Sequence, residues 1–254
     1  MRFRPCIDLH QGKVKQIVGS TLCDDNAAQT TVNFSSEQPP AYYASMYRAD
    51  NLTGGHVIML GPGSEEAARD ALQAWPGGMQ VGGGITVDNA RSWLDAGASH
   101  IIVTSWVFHD GQLDTERLAQ LVNAVGKNRL VLDLSCRWQN DRYYVVTDRW
   151  QKFTSLHIHP ATLEHLAASC DEFLIHAVDV EGKSMGIDER LVSIIAEAAP
   201  IATTYAGGIA TAEDIERIRR AGNGTIDFTV GSALDIFGGS GLRYQDLATL
   251  HLHE

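Results

Sequence analysis

The chain has 254 residues, 44% of them hydrophobic and 20% charged, with a formal net charge of −11. This is ordinary globular composition, and the acidic balance argues against nucleic acid or an anionic membrane surface as a partner. No run reaches the roughly 20 apolar residues of a membrane span, and strand-like sequence begins almost at Met1, which leaves no room for a leader.

Short β-branched runs alternate with amphipathic stretches along the whole chain. Strands are expected at residues 5–9, 56–60, 79–81, 100–104, 130–134, 173–177, 201–205 and 225–230. Between them, Ser64, Thr86 and Thr211 stand where helix N-caps belong, each followed by acids that suit the helix dipole. Two of these helices run into Ala96-Gly97 and Ala221-Gly222, a C-cap signal. Eight strands alternating with helices predict an α/β fold with a parallel sheet closed as a (β/α)8 TIM barrel, a single domain over 1–254.

Residues 11–40 read as a long polar loop after the first strand, long enough for a mobile lid. Residues 135–154 follow the fifth strand and carry a hairpin pattern around 139–142. Cys6, Cys23, Cys136 and Cys170 show no CxxC spacing and no neighbouring His at zinc-ligand spacing, so no metal is expected. They read as reduced thiols, which places the chain in a reducing compartment, the cytoplasm. A precursor trimmed of an organellar leader would look the same.

The chain repeats itself. "IDL" at 7–9 returns as "LDL" at 132–134, and the stretch 82–106 aligns with 206–233. The offset is 125 at Asp8 and Asp133 (133 − 8) and 124 at Gly83 and Gly207 (207 − 83). A period near half the length implies two like half-barrels, roughly 1–125 and 126–254. Loops after the two acids should then face each other across the barrel mouth.

"VGGGIT" and "YAGGIAT" each place glycines between a strand and a helix start, where free N–H groups favour phosphate. Gly83 and Gly84 pair in this reading with Thr104 and Ser105 at the end of the next strand, and Gly207 and Gly208 with Gly231 and Ser232. Two such sites on opposite sides would grip a long bisphosphate. Asp8 and Asp133 end strands one and five, which are diametrically opposed in an eight-stranded barrel and open onto its working face. Trp106, Trp138 and Trp150 are candidates for stacking on a planar ring, and Lys13, Lys15 and Arg137 for charge near phosphate.

"CIDLHQGKVKQIVGS", "GGHVIMLGPGS", "VGGGIT", "IIVTSWVF", "LVLDLSCR", "TDRWQKFT", "LIHAVDVEGK", "TYAGGIAT" and "VGSALDIFGG" together resemble the phosphoribosylformimino-5-aminoimidazole carboxamide ribotide isomerases of histidine biosynthesis, in their eukaryotic-type branch. Bacterial members of that family have Asp-Leu-Asp where this chain has Met59-Leu60-Gly61. They also show a Thr and, five residues on, an Asp where it has His176 and Glu181. The resemblance implies an aldose–ketose isomerase that performs an Amadori rearrangement on a bisphosphorylated ribotide, without cofactor or metal and as a monomer. It implies Asp8 as general base and Asp133 as acid or orienting group. Glu181 is the other candidate acid, with His176 beside it, and Arg137 and Trp150 are candidate substrate contacts. The rival readings are the cyclase-type barrel of imidazole glycerol phosphate synthase, a dual-substrate phosphoribosyl isomerase, and a catalytically silent phosphosugar-binding protein.

Overall fold

A computed structural model of the chain describes residues 1–17, 31–148, 150–181 and 185–250. Eight parallel strands follow one another in the sheet in chain order: β1 (Cys6–His10), β2 (Gly55–Met59), β3 (Met79–Gly82), β4 (Ile101–Val103), β5 (Leu130–Asp133), β6 (Glu172–His176), β7 (Ala202–Ala206) and β8 (Asp227–Phe228). Each expected strand is therefore present, within two or three residues at most ends. The sheet is strongly curled. Its two ends meet where Phe3, just before β1, bridges Phe228 of β8 in parallel, with the Arg4 N–H donating to the Phe228 carbonyl at 2.8 Å.

Helices α1 (Pro40–Ala49), α2 (Glu65–Ala74), α3 (Val87–Asp95), α4 (Thr115–Val125), α5 (Pro160–Ala167), α6 (Glu189–Ala198), α7 (Ala212–Ala221) and α8 (Tyr244–Thr249) alternate with the strands. Their starts follow local chemistry. Thr86 and Thr211 form capping boxes with Asn89 and Asp214, and Pro40 and Pro160 occupy first-turn positions that lack an N–H partner anyway. Ser64 stands before α2 without capping it: its hydroxyl accepts the Gly12 N–H at 3.2 Å and ties that helix to the turn after β1. After α3, Gly97 takes the expected left-handed conformation (φ +112°). After α7, Gly222 keeps φ −91°, and Asn223 (+52°) and Gly224 (+69°) make the left-handed turn instead.

The segment read as a polar lid carries structure. Residues Lys13–Ile17 fold back antiparallel on β1, Leu9 against Val14, through a two-residue turn at Gln11 and Gly12, both at positive φ. Val32–Ser35 then extends the sheet by one more strand. Val14 and Gln16 are buried while Lys13 is exposed, the alternation of a half-buried strand. Residues 18–30 of the expected lid, with Cys23, lie outside the described residues. After β5, Cys136–Gln139 and Arg142–Thr147 form the expected hairpin over Asn140 and Asp141, and a third strand, Lys152–His157, adds to it. No helix among the described residues is long and apolar enough to cross a membrane.

Every second residue of the parallel strands points inward, so the interior is layered. At the level where the strands begin, the Arg4 guanidinium lies 2.8 Å from Asp227 and 3.7 Å from Glu172, all three nearly fully buried. Gln80 and Thr204 each donate to Glu172 at 3.1 Å. Gly54 leaves room for the arginine, since a Cβ there would sit 1.5 Å from its Nη1. Above this lies an apolar layer of Ile58, Ile102, Val131, Leu174 and Ala206. One end of the sheet is thus sealed by an ion network and a greasy plug, and only the carboxyl ends of the strands are open.

Breaking the network tests this. Arg4→Met takes the buried cation from Glu172 and leaves Asp227 only the exposed Arg2 guanidinium at 3.3 Å, and should cost about 3–5 kcal/mol, read as a lower urea midpoint with an unchanged slope. The loss should shrink as pH falls, because a protonated carboxyl is cheaper to bury.

Candidate active site

A cavity of about 750 Å³ opens at the carboxyl ends of the strands, and all eight strands or the loops that follow them line it. Asp8, Asp133, Glu181 and His176 all face it. So do Gly83, Gly84, Thr104, Ser105, Gly207, Gly208, Gly231, Ser232 and Trp150. Most of the residues singled out from the sequence converge here; Arg137, Lys13, Lys15 and Trp138 do not. Arg137 is not part of the lining: its Nε donates to Asp179 at 2.9 Å, and Asp179 also accepts the Trp138 N–H at 3.0 Å. Lys13 and Lys15 are likewise occupied elsewhere, with Glu37 at 4.0 Å and with His10 and Gln11.

At the centre, four ionisable groups share one electrostatic environment. Asp133, the last residue of β5, accepts the Ser135 N–H at 3.0 Å and hydroxyl at 2.8 Å, and its Oδ1 lies 3.3 Å from His176 Nδ1. Burial alone would raise the Asp133 pKa, but the His176 charge and the donors from His176, Ser135 and Thr104 outweigh it, so it lies below the ordinary value. Burial likewise opposes the imidazolium, yet Asp133, with help from Glu181 and Asp8, lifts the His176 pKa to about 9. His176 is therefore a cation at neutral pH.

The other two carboxyls do not touch that cation. Burial raises the Asp8 pKa, against the lowering effects of a Gln16 hydrogen bond, the His176 charge and Cys6. Burial also raises the Glu181 pKa; His176 opposes this, while Asp8 and Asp133 reinforce it. Beneath them His56, buried and close to His176, is held neutral with a pKa lowered to about 3. The site thus separates into a locked ion pair and two carboxyls shifted toward neutrality, the condition under which acid and base work can be divided.

Two glycine turns flank these groups. Gly83 (φ +94°) passes so close to β2 that a Cβ would stand 2.1 Å from the Met59 carbonyl, whereas beside Gly84 (φ +69°) the space is open. Gly207 (φ +122°) and Gly208 (φ +74°) repeat the two positive φ values after β7, but here both are crowded: a Cβ would stand 2.8 Å from the Ala177 carbonyl on Gly207 and 2.1 Å from the Gly186 carbonyl on Gly208. Each turn leads into a helix with a capping box. No Lys or Arg is found among the described lining residues. An anion held here would meet backbone N–H groups, hydroxyls and helix starts.

Trp150 holds a positive φ of 66° at the cavity wall, its ring 6.1 Å from that of His176. Trp106 also lines the cavity, while Trp138 packs outside it between Tyr143 and Arg190. The loop after β1 (Gln16, Ile17) and the loop after β5 (Val146, Thr147, Trp150) both contribute lining, as the repeat implied. Gln16, Ser135 and His56 were not anticipated. Of these, only Gln16 had a usable signal, as a polar residue at an inward position of an alternating run.

The family model described as "Histidine biosynthesis protein" matches residues 2–239. A chloroplastic protein of Medicago truncatula is 56% identical over 99% of this chain and 82% of its own length. Proteins of Neurospora crassa (50% identical) and Saccharomyces cerevisiae (44%) each align over 96% of both chains. All three are named as isomerases of 1-(5-phosphoribosyl)-5-((5-phosphoribosylamino)methylideneamino)imidazole-4-carboxamide.

The ion pair makes its own test. The ring nitrogens of His176, followed by NMR, should titrate near pH 9, and in Asp133→Asn the midpoint should fall back toward the ordinary value of 6.5. Because its folded pKa is raised, the His176 contribution to stability is complete below pH 6.5 and is lost as pH rises through about 9, while the contribution of Asp133, whose folded pKa is lowered, is complete above 3.8 and is lost as pH falls.

Proposed function

The chain belongs to the histidine biosynthesis protein family, and on that premise we propose that it is an aldose–ketose isomerase acting on the bisphosphorylated ribotide for which its relatives are named. The reaction is an Amadori rearrangement: the ring-closed aminoaldose becomes the open aminoketose. The observation that carries the reading is the presence, in one cavity, of the Asp133-bound His176 imidazolium and a second carboxylate, Asp8, whose pKa is raised and which does not touch it.

The proposed chemistry needs one proton delivered and one removed. Delivered to the furanose ring oxygen, a proton opens the sugar to a Schiff base. Removal of the C2 proton then gives an enolamine, which tautomerises to the ketone. Asp8 is the proposed base. Its raised pKa brings it closer to neutrality, where a general base is most effective while still largely ionised. Asp133 is a poor acid because it is held ionised, so its role is to keep His176 charged and oriented, and His176 is the proposed donor to the ring oxygen. Glu181 adds negative potential that favours the imidazolium. The two transfers leave the net charge of the site unchanged, with His176 neutral and Asp8 protonated, and passage of that proton from Asp8 to His176 resets the site for the next turnover.

The two glycine turns, with Thr104 and Ser105 on one side and Gly231 and Ser232 on the other, are the proposed phosphate seats, and Trp150 the proposed partner of the substrate's planar ring. This arrangement rests on the doubled (β/α)8 barrel of a single domain. The bridge between Phe3 and Phe228 and the matched capping boxes after β3 and β7 support it. We place the enzyme in a reducing compartment, the cytoplasm, in keeping with buried, unpaired Cys6, Cys136 and Cys170. It acts as a monomer, since one chain supplies every group invoked.

Purified native protein should turn the ribotide over. Asp8→Asn should lower kcat by at least ~10² while a bisphosphate product analogue still binds. Unchanged turnover in that variant removes the base assignment, and an inactive native protein that still binds bisphosphate marks a sensor or scaffold. The pH profile of kcat/KM should be bell-shaped. Its alkaline limb should fall near pH 9 as His176 loses its proton, and its acid limb should lie above the ordinary aspartate value of 3.8.

A further inference from the structure

We infer that Gln16 is a positioning residue, holding Asp8 in place and in its ionised form from a seat that the second phosphate loop leaves open. The inference rests on the assignment of Asp8 as the base. Gln16 lies on the strand that folds back on β1, and only 5% of it is exposed. Its Nε2 donates to Asp8 Oδ2 at 2.8 Å and passes 4.0 Å from Cys6 Sγ. The amide has one sensible orientation: turned over, its oxygen would face a carboxylate oxygen, two acceptors without a proton between them.

The other end of the amide fixes the geometry. Gln16 Oε1 occupies the space a side chain at position 231 would need, 2.3 Å from where a Cβ on Gly231 would stand. Glycine at 231 thus does more than admit an anion: its missing side chain is the slot in which the Gln16 amide rests. One amide therefore sits between the base and the loop proposed to hold a phosphate. A primary amide is well suited there, since it donates to the carboxylate without adding a charge that would pair with it permanently.

A neutral donor to a carboxylate favours the ionised form, so its removal must raise the pKa of that carboxylate. The titratable groups that act on Asp8 or feel its charge are His176 on β6, Glu181 on the loop after β6, Cys6 on β1 itself and Tyr47 on α1. Of these only Cys6 lies within reach of the Gln16 amide, at 4.0 Å, and its thiol stays where it is in either variant.

The test compares Gln16→Met and Gln16→Glu, both close to glutamine in volume, with Asp8→Asn in the full-length protein. Without the donor, the acid limb of kcat/KM should move up by about 1 pH unit, and plateau kcat should fall roughly tenfold. With a carboxylate in the same place the limb should move further up. A purely structural glutamine would lower the melting temperature of both variants and leave the limb where it was. If Asp8→Asn is inactive while both Gln16 variants keep the native limb and kcat, the positioning role is refuted and the base assignment stands. If Asp8→Asn remains active, the base assignment falls and the positioning role falls with it. Should Gln16→Met fail to fold, the direction of the limb in Gln16→Glu decides alone.

Discussion

Among the described residues, the His176 imidazolium set between Asp8, Asp133 and Glu181 governs the centre of the cavity. Whichever carboxylate contacts the His176 imidazolium is stabilised as an anion and keeps the ring charged, while the remaining two feel burial and each other's potential. Asp133 makes that contact because Ser135 presents both its N–H and its hydroxyl to the same oxygen, Oδ1, which fixes the carboxylate toward β6. Asp8 and Glu181 are left with pKa values raised from the ordinary ones, chiefly by burial. A second cation in the lining would remove the difference, and among the described lining residues no Lys or Arg supplies one.

This balance depends on the layers beneath it. The Arg4, Glu172 and Asp227 network seals the start of the strands, and the apolar layer around Ile58, Ile102, Val131 and Leu174 keeps water from reaching the site from below. Low local polarity is what makes a 3.3 Å contact between His176 and Asp133 strong enough to overcome the burial of both. The same burial holds His56 neutral, so the floor adds no competing charge. The sheet therefore confines polar chemistry to its two ends, one structural and one open.

Much of this was legible in the sequence, because the signals were local or repeated. Strand periodicity located the eight parallel strands. Threonines three residues before Asn89 and Asp214 marked two helix starts, and glycines before those helices marked the turns that approach β2 and the loop after β6. Two acids at a half-length offset identified the centre of the cavity. What sequence could not supply was pairing between distant groups. Arg137 had the right charge in the right loop, yet Asp179 lies close enough to claim it. Ser64 had the right place for a cap, yet the turn at Gly12 offered its hydroxyl an unpaired N–H. The polarity of residues 11–40 concealed the Lys13–Ile17 strand, whose alternation is visible only once the run is read two residues at a time.

The shortage of cations among the described lining residues bears on how an anion would act once inside. A ligand with two phosphates brings several negative charges into a cavity already rich in carboxyls, and backbone N–H groups can accommodate them without neutralising them. Its potential would push the pKa of Asp8 further up and strengthen the hold of His176 on its proton. Both changes suit the proposed chemistry, since they make the base more basic and keep the donor loaded while the ligand is present. Arginines at the phosphate seats would bind tighter but screen that potential from the reacting groups. In the proposed arrangement, dipoles at the ends and the His176 imidazolium at the middle would allow the substrate's own charge to tune the groups that act on it.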